Sequence, residues 1–160
     1  MSTPLPILGS PAALAGASEP EPEIHARSRL LQAAIQIFDR KGYATASVRE
    51  IADAAGVTKP VVYYHFGSKE GLLVAILNQA VRDVTATLAE AVTRTGSARE
   101  RLIRLCEDVY GLFEKNVSVA RVAHQVFLGP RELAPPFDVT VVDGRLREAV
   151  VAIVKDGQRS

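Results

Sequence analysis

Most of this chain spaces its apolar residues with the 3.6-residue period of a helix, not the two-residue alternation of a strand. From Ala26 onward, Leu30, Ala34, Ile37 and Phe38 mark one face, with Leu31 and Ile35 widening it, and Gly42 stops the pattern. Val48, Ile51, Ala52 and Ala55 then share a narrow face of small residues, while Arg49, Glu50 and Asp53 point away. Along Lys59 to Phe66, a step of roughly 100° per residue puts Val62 and Phe66 on the core side. Pro60, Val61 and Tyr64 fall broadly opposite, with Lys59 and Tyr63 at one edge and His65 at the other.

A longer stripe follows. Leu72, Leu73, Ile76, Leu77, Ala80, Val84, Leu88 and Ala91 carry it to about Arg94, which predicts a rod of roughly 40 Å able to connect two subdomains. Gly96 ends it. Leu102, Leu105, Cys106, Val109, Leu112 and Phe113 give the next helix a strong apolar face. A shorter helix is expected from about Ser118 to Leu128, broken by Gly129-Pro130, and a last one from Phe137 to Lys155 after Pro135-Pro136. Within that last run, Val139 to Val142 would suit a strand equally well. No internal repeat and no strand-turn-strand signal stands out, so the fold expected is all-α.

Helix-start signals sharpen the middle of the chain. Ser47-Val48-Arg49-Glu50 has the form of a capping box, and Thr58-Lys59-Pro60 sets a capping hydroxyl before a first-turn proline. Between them Gly56 can take the left-handed conformation that ends one helix and turns the chain into the next. Helix, tight turn and helix over Ser47 to Lys69 read as a helix-turn-helix suited to DNA. Ser68, with Glu70 behind it, caps the long helix, and Ser97 to Glu100 forms a second capping box.

Composition refines this picture. The 160 residues carry a net charge of only +1, so bulk charge does not announce a nucleic-acid partner. Its distribution is more telling: His25 to Glu70 holds +3 and the remainder −2. Residues 1–23, with proline at 4, 6, 11, 20 and 22, are expected to be a disordered tail. Their apolar part lacks a basic flank and is broken by Pro6, Gly9 and Pro11, so a signal peptide is not expected. No apolar run is expected to reach the ~18–20 residues of a membrane span. Cys106 is the single cysteine, which suits a reducing, cytoplasmic compartment. No His, Cys and Asp cluster has metal-ligand spacing and no cofactor motif is seen.

Gly42-Tyr43, the Ser47 box, Ile51 to Val57, Tyr63-Tyr64-His65-Phe66 and Ser68 to Leu73 together resemble the DNA-binding domain of the TetR family of bacterial transcriptional regulators. The match runs nearly without gaps over about Ile24 to Leu77. The resemblance implies a homeodomain-like three-helix head over residues 24–70, joined by a long helix to a helical ligand and dimerisation domain over 71–160. It implies DNA contacts by Ser47 and Val48, by Arg49 in the major groove, and by Thr58, Lys59, Pro60, Val61, Tyr63, Tyr64 and His65 on the recognition helix and its entry. It makes Lys69 a phosphate anchor. Val61 stands where many members carry a small polar residue, so a thymine methyl or a sugar is its expected contact. Family chains typically continue for two further long helices that build a dimerising four-helix bundle; against that pattern the regulatory domain is expected to be truncated at its C-terminal end.

The function expected is that of a ligand-responsive repressor binding a palindromic double-stranded operator as a homodimer, with a small-molecule effector and no membrane. Tyr110, Phe113, His124 and Phe127 are the expected pocket residues, though aromatic residues at helical spacing also suit plain core. A shortened or monomeric DNA-binding protein is the alternative. A small helical enzyme using Cys106, Asp108 and His124 is a poorer one, resting on residue types alone.

Overall fold

The computed structural model describes residues 21–128, 137–138 and 140–159. Seven helices are described: α1 (Glu21–Lys41), α2 (Val48–Ala55), α3 (Lys59–Phe66), α4 (Lys69–Thr93), α5 (Ala98–Lys115), α6 (Val117–Phe127) and α7 (Thr140–Gly157). α1 starts at Glu21, inside the segment read as tail; residues 1–20 of that segment lie outside the described residues. The Gly129-Pro130 break and Pro135-Pro136 lie outside them too. Residues 140–142, which suited a strand equally well, are helical because they open an 18-residue helix whose Ala149 and Ile153 are buried.

The helices start and stop where the local chemistry directs. At α2, the Ser47 hydroxyl accepts from the Glu50 amide at 3.2 Å, and the Glu50 carboxylate accepts the Ser47 amide at 3.0 Å. Two otherwise unpaired amides are thereby satisfied. Gly56 closes α2 at φ 66°, where a side chain would be strained. At the start of α4, Gly71 is needed for a different reason: a Cβ there would lie 2.0 Å from the Phe66 carbonyl oxygen. Any larger residue would push α3 and α4 apart.

Two cores organise the chain. The first joins Leu30, Ala34, Ile37 and Phe38 of α1 to Ile51 and Ala52 of α2, Val62 of α3, and Leu72, Leu73, Ile76 and Leu77 of α4. Val122 and Val126 of α6 complete it, so the first three helices and α6 share buried surface. The second core sets Leu88 and Ala91 of α4 against Leu105 of α5 and Ala149 and Ile153 of α7. Beside it Arg101 is buried, donating to Asp156 and to the Val92 carbonyl at 2.5 Å each, which pins α5 to α7 and to the end of α4.

α4 serves both cores. By length and composition it is apolar enough to cross a membrane, its best 18-residue window having a mean hydropathy of 1.3. Leu72, Leu73, Ile76 and Leu77 are buried in the first core and Leu88 and Ala91 in the second, and Arg82 and Asp83 interrupt the stretch between them.

Candidate nucleic-acid interface

α3 is held by one side and free on the other. Val62 is fully buried and Phe66 packs at the core edge, with the Arg27 guanidinium 5.4 Å from its ring centroid. Opposite them, Tyr64 is 74% exposed and Tyr63 50% exposed, with Lys59 and Pro60 also open to solvent. An exposed large aromatic on a short charged helix gains nothing for folding, and it provides a flat face for stacking or sugar contact. His65 sits between its neighbours, its ring 5.1 Å from Tyr64 and 6.1 Å from Phe66.

Val61 departs from the expectation of an outward residue. It is partly buried and packs against the first core. A smaller part of its side chain therefore remains to meet a partner. Thr58 occupies the N-cap position of α3 in an extended conformation, yet its hydroxyl makes no capping bond. The helix starts instead on Pro60 and on the Val61 amide donating to the Thr58 carbonyl at 3.1 Å. The exposed Thr58 hydroxyl lies beside Lys59 at the entry of the helix.

Arg49 projects from α2, held only by a loose 3.8 Å pairing with Asp53, both side chains being largely exposed. Such a pair contributes little to stability and leaves the guanidinium ready to exchange partners. Ser47 is exposed at the same end, while Val48 is partly buried on the core. Glu50 is less free. It pairs with Lys41, and this contact, together with bonds from Ser47, lowers its pKa to about 2. A carboxyl lowered in the folded state stabilises the fold fully above its unfolded pKa, and that contribution is lost as pH falls through about 2. The melting gap between wild type and Glu50→Gln is therefore expected to be constant above pH ~5 and to close toward pH 2. A gap that stays constant down to pH 2 would contradict this.

Lys69 has a role the sequence did not reveal. Its ammonium donates to the carbonyls of Tyr43 at 2.9 Å, Ala46 at 3.0 Å and Ala44 at 3.3 Å, and lies 4.5 Å from the Tyr43 ring centroid. An ammonium has three donors, and all three are taken. Where a phosphate anchor was expected, the structure places an internal tie between the start of α4 and the α1–α2 turn. No local motif marks such a contact, since its partners lie 23 to 26 residues away.

A second tie links α1 to α6. Arg121 of α6 meets Asp39 of α1 through two parallel bonds of 2.7 and 2.6 Å. The guanidinium, and after it the Ser118 hydroxyl, hold Asp39 below the usual carboxylate range. Behind it, α4, α5 and α6 enclose a cavity of about 240 Å³, lined among others by Leu77, Val84, Phe113 and Phe127, with Phe137 and Val142. Phe113 and Phe127 thus line the space expected of them. Tyr110 and His124 do not; both are exposed, because each lies on the solvent side of its helix. Cys106 is exposed as well, one step round from buried Leu105, and Asp108 pairs with Arg94, so the enzyme alternative gains no clustered site. No group of three or more metal-ligating side chains occurs among the described residues.

Comparison with known proteins meets this geometry at the head. Residues 30–76 match the family described as bacterial regulatory proteins, tetR family. The HTH-type transcriptional activator FasR of Mycolicibacterium smegmatis is 39% identical over 93 residues, 58% of this chain and 42% of that protein. The HTH-type transcriptional repressor KstR2 of Rhodococcus jostii is 31% identical over 96 residues, covering 60% and 47% respectively. This chain spans about half the length of the curated relatives it matches. Among solved structures, the TetR family regulator PfmR of Thermus thermophilus superposes with a TM-score of 0.67 at 29% identity, over 82% of this chain and 71% of that one. A gamma-butyrolactone receptor described as ArpA-like gives 0.68 at 27%, over 84% and 70%.

Proposed function

This chain belongs, through residues 30–76, to the tetR family of bacterial regulatory proteins, and on that premise we propose that it is a cytoplasmic, ligand-responsive transcriptional repressor acting on a palindromic operator. The observation that carries the reading is the face of α3. Lys59, Tyr63 and Tyr64 are exposed together on a helix whose opposite side, Val62, is fully buried. A rigid core behind an open polar and aromatic face is what a helix entering the major groove requires.

Roles divide by chemistry. Arg49 and Tyr64 supply base and sugar contacts, with Arg able to pair bidentately with guanine. Lys59, Thr58 and Ser47 meet phosphates beside helix N-termini. His65 and Tyr63 border the contact, and the exposed edge of Val61 meets a methyl or sugar. Lys69 shapes the α1–α2 turn rather than touching DNA.

Two heads are needed to read a palindrome. A two-fold dimer sets recognition helices about 34–36 Å apart, one helical turn of DNA. The exposed Val141, Leu146, Val151 and Val154 of α7 give such a dimer apolar surface to bury. An effector in the cavity between α4, α5 and α6 alters that separation through α6, which is tied to α1 by Arg121 and Asp39. Selection of bound sequences from a random duplex pool tests the reading. Enrichment of two inverted half-sites is expected; enrichment of a single site or of none would overturn the palindromic mode.

A further inference from the structure

The cavity between α4, α5 and α6 has an uneven chemistry. Among the described residues, Asp83 is its only charged lining residue and Asn116 its only other polar one. Asn116 uses one of its two side-chain amide N–H donors on the Leu112 carbonyl at 3.0 Å. Asp83 is partly buried and accepts one bond, from the Gln79 amide at 2.8 Å. Gln79 in turn accepts from Arg82 at 2.6 Å, so Arg82 is engaged by the amide. No described Lys, Arg or His forms an ion pair with Asp83.

A carboxylate at the open rim of an apolar wall, with no ion-pair partner among the described residues, attracts a positive ligand and repels a negative one. We propose that this cavity takes an amphiphile with an apolar body and a cationic amine or ammonium head, the head set against Asp83 and the body along Val84, Phe113 and Phe127. The inference rests on the cavity being the effector site. It adds the charge class of the effector.

Three probes of equal chain length separate charge from apolar burial: decylammonium, decanol and decanoate, each below its micellar concentration at pH 7. The chain has no tryptophan, so titration calorimetry is the suitable readout. Decylammonium is expected to bind about five- to tenfold tighter than decanol, and decanoate at least about threefold weaker than decanol. Asp83→Asn should bring all three within about twofold of each other. Ala120→Phe, which fills the cavity, should weaken all three, with helicity measured to show that each variant is folded. Equal binding of the three by wild type, or tightest binding of decanoate, would overturn the charge assignment while leaving the effector cavity standing. Failure of every probe to bind folded wild type would remove the cavity reading and the inference with it.

Discussion

Alanine at both Lys59 and Tyr64 is expected to weaken binding to a cognate duplex by about a hundredfold, close to 2.7 kcal/mol, with the melting temperature within about 2 °C of wild type. The separation of the two effects follows from exposure. Tyr64 is 74% exposed and Lys59 lies open to solvent, so neither supports the core. Removing them deletes a phosphate contact and an aromatic contact, each worth roughly 1–2 kcal/mol at a nucleic-acid surface. Anisotropy titration over a salt series measures both, since loss of the Lys59 charge should also lower the salt slope by about one. Unchanged affinity would mean that DNA meets another face.

Lys69→Met is expected to behave in the opposite way. It keeps the length of the side chain but removes three bonds to the carbonyls of residues 43, 44 and 46. Bonds from a charged donor contribute more than neutral ones, and carbonyls left partly buried lose a partner, so a stability loss of about 2–3 kcal/mol is expected. Affinity should fall for every duplex alike because the α1–α2 turn, and with it Ser47, loses its position. The salt slope should not change. A stable variant whose slope falls by about one would instead restore Lys69 as a phosphate anchor.

Lys59, Tyr64 and Lys69 show what the sequence could carry. Lys59 and Tyr64 were legible because their exposure follows from local periodicity and from the Thr58 to Pro60 start signal. The capping boxes at Ser47 and Ser97, the left-handed Gly56 and the span of α4 were legible for the same reason, each depending on residues a few positions apart. Lys69 was not. A cation in the first turn of a helix gains little locally, and only the packed fold shows that the α1–α2 turn delivers three carbonyls to it. The tie between Arg121 and Asp39 spans 82 residues and left no local trace at all.

Packing also redrew the faces. Val61 was placed outward by the angular step along α3, yet a helix of eight residues is small enough for neighbouring helices to cover its flanks. In α5 the stripe proved narrower than its apolar residues, with Arg101 buried and Cys106 outside. Two of the four aromatic and histidine positions proposed for a pocket line it. Tyr110 and His124 do not, because spacing along one helix cannot tell which edge its neighbours leave open.

On the proposed reading, the exposed face of α3 discriminates sequence rather than merely holding a polyanion. This is tested most directly by the ratio of affinities for a selected duplex and for a scrambled duplex of equal length, measured with wild type at one fixed salt concentration near physiological. A ratio of at least about 10³ is expected. A ratio near one, with both affinities falling together as salt rises, would contradict it.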